Sequence, residues 1–358
     1  MSYRVLISTP HPDWPLLRQL PGQAARMFDK PQFDRAQSDA TERVASMPRS
    51  GTWDDWTFFI DQEVDEVDAW IVLEDIPTPH QVRVSPQNTL LLTGEPPSMR
   101  RYRTSYISQF AHVITCHPSL ANTFVRSPDI QLAPQGLPWH IGVDRLQGDR
   151  VRFAHTDFAT APKPTKSGLL SVICSNKNIT RDHRARQEFV KILQAHFGSE
   201  LALFGRGYQE IGDKWDAIAP YRFHIVLEND ATAHYFSEKL TDCFLAQSYP
   251  LYYGAPNAAQ YFPQPSFTAI DIHQPEAAIA TIEAALANRL DEKHAQDVIA
   301  SRDLVLNEYN LFSIVRNFFS QRLRSGKPVE QTIYPRRHKW SLQWAKLQRF
   351  QRRFTQAA

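Results

Sequence analysis

Short runs of β-branched and apolar residues recur along this chain, each followed by a helical or turn-rich stretch, and the series occurs twice. Residues 3–8, 69–73, 89–92 and 111–115 form the first series; residues 169–174, 201–204, 223–227, 249–253 and 267–271 form the second. Strands joined by long crossovers pair in parallel, so two doubly wound α/β sheets are expected. Helical spacing supplies the covering layers over 182–197, with Phe189, Ile192, Leu193 and His196 on one side, over 237–247, and from 275 to about 323. The pattern lapses between 149 and 168 into polar sequence with two prolines, a natural boundary. A length of 358 residues, at roughly 150 per domain, also gives two. The expected plan is an N-terminal Rossmann-like domain over 1–150, a linker over 151–168, a second such domain over 169–330, and a tail over 331–358. Open sheets of this kind bind ligands at the carboxyl ends of their strands, so a central cleft faced by both domains is the expected site.

Composition narrows the class. Apolar residues make up 42% and charged residues 22%, globular proportions that exclude wholesale disorder or coiled coil. Cys116, Cys174 and Cys243 are odd in number and widely spaced, which speaks against a disulfide framework or a cysteine-rich zinc site and for a reducing compartment. No apolar run reaches the roughly 18 residues of a membrane span, and the first residues lack a signal peptide's apolar core, so a cytoplasmic location is expected. Residues 331–358 hold seven Lys or Arg and no acid, which turns the overall +2 into −5 for the rest of the chain. Within that tail Trp340, Trp344, Leu347, Phe350 and Phe354 share one helical face. Such a face suits peripheral contact of residues 336–358 with the anionic inner surface of a membrane, and equally suits docking on the protein's own body. Nucleic acid is not expected as a partner, because the body is acidic and no recognition motif occurs.

Motif searching excludes more than it finds. Gly-x-Gly-x-x-Gly, the P-loop, Gly-x-Ser-x-Gly and His-Glu-x-x-His are all absent, which removes the main support for nicotinamide, P-loop and common hydrolase chemistry. There is no Asp-x-Asp pair to clamp a metal against a diphosphate. Any diphosphate would be held by side-chain cations, backbone N–H groups and helix N-termini. The densest constellation is Tyr221-Arg222-Phe223-His224-Ile225-Val226-Leu227-Glu228-Asn229, then His234-Tyr235-Phe236-Ser237-Glu238-Lys239, then Tyr249-Pro250-Leu251-Tyr252-Tyr253-Gly254. It reads as a buried strand ending in a carboxylate and an amide, a loop, and a helix whose first turn carries Lys239. A cation sits awkwardly at a helix start, which is already partly positive; a bound phosphate would relieve the conflict.

This segment resembles the donor-binding signature of the α1,3-fucosyltransferases, glycosyltransferase family 10. There, Phe-Glu-Asn is followed by Tyr-Val-Thr-Glu-Lys and then by Ile-Pro-Ile-Tyr-Trp-Gly. Cys174-Ser175-Asn176 and Arg186-Gln187-Glu188-Phe189 look like the family's Ser-Asn turn and Arg-x-x-Phe helix. The likeness spans roughly residues 169–272. It implies a GT-B fold, with an N-terminal acceptor domain and a C-terminal domain holding a guanosine diphosphate sugar, GDP-fucose or a related one. It further implies inversion at the anomeric carbon, no cofactor and no metal ligand in the protein. By position, Arg186 and Lys239 would grip the diphosphate and Glu238 would accept from ribose or sugar hydroxyls. Asn229 and Tyr235 would line the donor pocket, with Ser175 and Asn176 also against the donor. Leu227, Phe236, Ser237 and Tyr253 replace the usual Phe, Val, Thr and Trp, which leaves the donor sugar open.

An inverting displacement needs a base for the attacking hydroxyl. Thr89-Leu90-Leu91-Leu92-Thr93-Gly94-Glu95-Pro96-Pro97 reads as a buried strand emptying into a turn, and Glu95 is the expected catalytic base, as the resemblance also implies. His11, in the turn after the first strand, is expected on the acceptor side. The acceptor would be a glycan, a glycolipid or a lipopolysaccharide-type molecule. Two other readings stay open: a GT-B transferase with another donor, and a catalytically silent nucleotide-sugar or glycan-binding protein.

Overall fold

The computed structural model describes residues 2–11, 14–28, 48–122, 128–175 and 181–337. By internal packing the chain falls into two units. Met1–Leu17, Met47–Gln135 and Ile314–Ala358 form the first, and Arg18–Ser46 with Gly136–Ser313 form the second. Besides the excursion of Arg18–Ser46 into the second unit, the break lies at Gln135/Gly136 and again within the helix Leu311–Arg322, whereas composition pointed to 151–168 and assigned everything up to 330 to the second half. Partners remote in sequence account for the difference. Trp139 and Ile141 are buried in the second unit's core. Asp242 accepts from the backbone N–H groups of His140 and Ile141 at 3.0 and 3.2 Å, and Asp213 from that of Gly142 at 2.8 Å. At the other end, Val329–Ile333 pairs antiparallel with His80–Val84 of the first unit.

The first unit contains β1 (Tyr3–Ser8), β2 (Ser50–Trp53), β3 (Trp56–Ile60), β4 (Ala69–Leu73), β5 (His80–Val84), β6 (Thr89–Leu92), β7 (His112–Thr115) and β8 (Asp129–Leu132). Its main sheet runs β2-β3-β1-β4-β6-β7-β8, parallel except for the hairpin strand β2. Every residue of β4 and β6 is buried, as strands covered on both faces require. The second unit contains a small antiparallel pair, β9 (Val143–Asp144) and β10 (Arg150–Val151), and β11 (Gly168–Ile173), β12 (Leu201–Phe204), β13 (Tyr221–Leu227), β14 (Tyr249–Tyr253) and β15 (Thr268–Ala269). These last five form a parallel sheet in the order β12-β11-β13-β14-β15. Both sheets thus place their second parallel strand outside the first and continue on the other side, the doubly wound order in which ligands bind where the winding reverses. That point lies between β1 and β4 in one unit and between β11 and β13 in the other.

The expected strands and helices are present with small shifts of boundary, β15 being shorter than anticipated. One helical face is corrected. On the helix Arg181–Phe197 the buried residues are His183, Arg186, Phe189, Val190, Leu193 and Phe197, while Ile192 and His196 are exposed. The sheet contacts select the Arg186-Phe189-Leu193-Phe197 stripe, so an arginine occupies a buried position among apolar ones. Among the described residues no helix is long and apolar enough to cross a membrane. Of the basic tail, residues 338–358 lie outside the described residues.

His224 lies in the middle of β13, opposite Ser171 of β11, whose Oγ is 2.7 Å from its Nδ1. Burial, with the positive charges of Lys214 and Lys166 adding to it, lowers its pKa from 6.5 to about 3. The unfolded chain therefore takes up a proton near pH 6.5 that the fold refuses. The stability at stake is complete above that pH and is lost as pH falls from 6.5 toward about 3. His224→Gln should flatten the fall in thermal midpoint across this window, as followed by denaturation at a series of pH values; an unchanged slope would refute the assignment.

Candidate functional site

The carboxyl end of β13 is where the second unit gathers its charges. The strand ends at Leu227, Glu228 and Asn229 follow, and nine residues after Glu228 the chain reaches Ser237, the N-cap of the helix Glu238–Leu245. Glu228 has no solvent exposure. Its Oε1 accepts from the backbone N–H of Ser237 at 2.7 Å, its Oε2 accepts from Ser237 Oγ at 2.6 Å, and Lys239 Nζ stands 3.4 Å from the same oxygen. Ser237 Oγ in turn accepts from the backbone N–H of Lys239, capping the helix. The neighbouring strand must leave room for this carboxylate. A Cβ on Gly254, just after β14, would lie 2.7 Å from Glu228 Cγ and 2.2 Å from the Tyr252 hydroxyl.

Two cations converge on this strand end. Arg186 Nη1 donates to the carbonyl of Leu227 at 3.3 Å and to Asn229 Oδ1. The same guanidinium acts on the Cys174 thiol at the exit of β11: burial pushes the thiol up and Arg186 opposes it. Arg186 therefore bridges the ends of the two strands that flank the reversal of winding. Its buried Nε finds no acceptor among the described residues. From the other side Lys239 Nζ meets Ser237 Oγ at 3.0 Å and Glu238 Oε1 at 3.3 Å, besides Glu228. Burial would lower Lys239, but Glu238 and Glu228 outweigh it and the ammonium is held above its ordinary value. The awkward cation at the helix start is thus neutralised by carboxylates of the chain itself.

Sequence reasoning missed the groups that complete the cluster. Lys214 Nζ donates to Asp242 Oδ2 at 2.9 Å and to Glu238 Oε1 at 3.4 Å, and His140 Nδ1 is 3.7 Å from the same Glu238 oxygen. Burial would raise Glu238, yet Lys239 and Lys214 hold its carboxyl well below the usual range. Burial also pushes His140 well below 6.5 against the pull of Glu238, so it stays neutral. Asp242 is raised by burial against Lys214. Lys214 and Asp242 are 28 residues apart and His140 and Asp242 about 100, distances at which no local spacing rule operates.

Of the residues expected at the donor site, Arg186, Asn229, Glu238 and Lys239 come together around the end of β13, with Ser175 joined through Gln187 Nε2 at 3.4 Å to its carbonyl. Tyr235, in the loop before the helix, is 2% exposed. Asn176 lies outside the described residues. In the first unit, Glu95 stands in the turn after β6, partly exposed, its carbonyl accepting from His117 Nε2 at 2.9 Å. His11 is exposed in the turn after β1, its backbone N–H donating to Thr9 Oγ1 at 3.2 Å. Among the described residues no three His, Cys, Asp or Glu side chains are grouped as metal ligands.

Residues 163–293 match the family described as glycosyltransferase family 10 (fucosyltransferase), C-terminal domain. The alpha-(1,3)-fucosyltransferase FucT of Helicobacter pylori is 26% identical over 110 residues, which is 31% of this chain and 22% of that protein. The chain thus spans about a fifth of the curated relative it matches. A crystal structure of an alpha1,3-fucosyltransferase with GDP is 14% identical, with 87% of this chain and 93% of that one covered at a TM-score of 0.45. The crystal structure of TarM gives 10% identity, coverage of 71% and 55%, and a TM-score of 0.40.

The electrostatic balance around Glu228 makes a measurable claim. Glu228→Gln keeps an acceptor for Ser237 but removes the charge facing Lys239, and should destabilise the second unit by roughly 2 kcal/mol in urea titrations. Glu238→Gln, on a partly exposed side chain, should cost less. The reverse order would show that Glu228 is not the anchoring anion.

Proposed function

We propose that this chain, whose residues 163–293 carry a glycosyltransferase family 10 (fucosyltransferase) C-terminal domain, is a glycosyltransferase that moves fucose from GDP-fucose to a hydroxyl of an acceptor glycan. The observation that carries the reading is the meeting of Arg186 and Lys239 at three consecutive residues, Leu227 to Asn229, within the family-matched segment. The buried Nε of Arg186 has no acceptor among the described residues at that place, and a phosphate oxygen is an acceptor of the right charge for the guanidinium. The curated relative's name, an alpha-(1,3)-fucosyltransferase, supports fucose as the sugar.

In the proposed reaction the acceptor oxygen attacks the anomeric carbon from the face opposite the diphosphate. The new C–O bond forms as the bond to the diphosphate oxygen breaks, and the configuration inverts. Glu95 takes the hydroxyl proton, which raises the oxygen's electron density as the sugar becomes oxocarbenium-like. Arg186 and Lys239 stabilise the charge that develops on the departing GDP. Glu238, Asn229, Tyr235 and Ser175 complete the donor pocket, Glu238 accepting from hydroxyls; Asn176 and His11 are assigned to the donor and acceptor sides. The acceptor is a glycan, of glycolipid or lipopolysaccharide type, reached from the cytoplasm. Residues 336–358 make the peripheral contact with an anionic membrane surface. The replacement of the family's usual Phe, Val, Thr and Trp by Leu227, Phe236, Ser237 and Tyr253 favours, as a second reading, a related GDP-sugar in place of GDP-fucose.

Calorimetric titration should show binding of GDP and none of UDP at the same concentration; preference for UDP would overturn the donor assignment. With a panel of nucleotide sugars, GDP should be the nucleoside diphosphate released. Glu95→Gln should keep GDP affinity while turnover falls by roughly 100-fold or more, and equal turnover would remove Glu95 from the mechanism. Deleting residues 336–358 should weaken co-sedimentation with anionic vesicles and leave turnover on a soluble acceptor unchanged. Undiminished co-sedimentation would assign the tail to the protein's own body.

A further inference from the structure

Glu95 stands in a turn that the first unit holds from several sides. Gly94, the residue before it, donates its backbone N–H to the Tyr102 hydroxyl at 3.2 Å. The Glu95 carbonyl accepts from His117 Nε2, and His117, 3% exposed, meets the Tyr102 ring edge-on at 5.2 Å between centroids. Beyond the turn, the backbone N–H of Arg100 donates to the carbonyl of Pro96 at 2.9 Å. Arg100 Nη1 then pairs with Glu74 Oε2 at 2.9 Å, with side-chain exposures of 26% and 15%.

Glu74 is itself placed with care. It follows β4 with φ at 68°, a left-handed conformation unusual for a residue with a side chain. Its backbone N–H donates to the carbonyl of Leu92 at 2.7 Å, and its carbonyl accepts from the Tyr106 hydroxyl at 3.3 Å. The Glu74 carboxylate fills the space in front of Gly94: a Cβ there would fall 1.7 Å from Glu74 Oε1. The Arg100 guanidinium thus pairs with Glu74, and Glu95 acts on it only through its charge. Burial would lower Arg100, but Glu74, Tyr102 and Glu95 outweigh it and hold it above its ordinary value.

The geometry points to the Glu74–Arg100 pair as the positioning element of Glu95, a built-in counter-ion arrangement that fixes the turn and sets the charge its carboxylate experiences. The inference rests on the reading of Glu95 as the base. Arg100 alone would favour the Glu95 carboxylate and weaken it as a base; Glu74 takes up most of that charge. The glycine at 94 is required because the compensating acid stands where any side chain would be. The charged and titratable groups facing this pair within the first unit are Tyr102 and His117, with Tyr106, Asp75 and Arg336 behind Glu74; the backbone N–H of Arg336 donates to Asp75 Oδ1 at 2.8 Å.

The two partners can be removed separately, and their effects have opposite sign. Arg100→Gln removes the cation and should raise the Glu95 pKa, whereas Glu74→Gln leaves the cation unshared and should lower it, each by roughly one pH unit. The readout is the carbon-13 titration of glutamate-labelled full-length protein, the Glu95 carboxyl signal being the one lost in Glu95→Gln. Turnover against pH should follow, its acid limb moving up in the first variant and down in the second, with GDP affinity unchanged in both. Arg100→Lys, which keeps the charge, should restore the wild-type titration, and its refolding to the wild-type thermal midpoint guards against a merely unfolded variant. A Glu95 titration that stays put in both charge variants overturns the inference whatever the activity does. Full turnover in Glu95→Gln would instead overturn the reading of Glu95 as base, while leaving the titration result to stand or fall by itself.

Discussion

A carboxylate without solvent exposure is costly unless every lone pair finds a donor, and Glu228 finds three. Its oxygens take the Ser237 N–H, the Ser237 hydroxyl and, at longer range, the Lys239 ammonium. Each contact does local work as well. The first fixes where the loop after β13 turns into a helix, the second orients the hydroxyl that caps that helix, and the third aims Lys239 back at the strand end. Asn229, one residue on, is occupied by Arg186. The strand end therefore dictates the position of both cations, and the cations do not have to be held by their own flexible stems. Side-chain entropy that a lysine and an arginine would otherwise lose on binding a ligand is already spent in folding.

The two sheets repeat one topological solution. In each, the first parallel strand is flanked by the second and third, so the chain leaves neighbouring strands in opposite directions and their carboxyl ends open a crevice. In the second unit Cys174 follows one such strand and Glu228 the other, with Arg186 spanning the gap. In the first unit Thr9 and His11 follow β1, and Glu74 follows β4. Glu95 comes one strand further along, after β6, and Glu74 pairs with Arg100 beyond that turn. In both units strand exits supply some of the groups with chemistry to offer, where backbone is rigid on one side and free to vary on the other.

Much of this was legible in the residues. The buried parallel strands announce themselves as continuous apolar runs, and the Glu-Asn, Ser-Glu-Lys and Tyr-Tyr-Gly fragments carry enough specificity to mark the family-matched segment. What periodicity could not deliver was the buried face of the helix Arg181–Phe197. Counting apolar residues favours Ile192, whereas the sheet accepts Arg186 on that stripe because its head group reaches polar strand ends. The unit boundary was hidden for a related reason. Segment 136–142 looks like part of the first half until the side chains of Asp213 and Asp242, far along the chain, claim its backbone N–H groups. Lys214 escaped notice because its two carboxylates lie 24 and 28 residues away. Contacts made by folding rather than by spacing leave no local trace.

Under the proposed reading, the charges gathered at the end of β13 also decide how a diphosphate is held. Arg186, Lys214 and Lys239 face Glu228, Glu238 and Asp242, so these six groups sum to zero and His140 adds nothing while neutral. A site so balanced exerts little long-range pull on an anion, and ionic steering contributes little to affinity. Recognition then depends on short-range donors at fixed positions: the guanidinium of Arg186, whose Nε has no acceptor among the described residues, and an ammonium that must turn from a partly exposed carboxylate toward the ligand. Of the two acids holding Lys239, Glu238 can give way because Lys214 remains to share its charge, whereas Glu228 has no other cation within reach of its oxygens among the described residues. The exchange is therefore directional. The buried acid keeps the geometry, the partly exposed one yields, and a ligand gains most when its own charge peaks, as it does on a departing diphosphate.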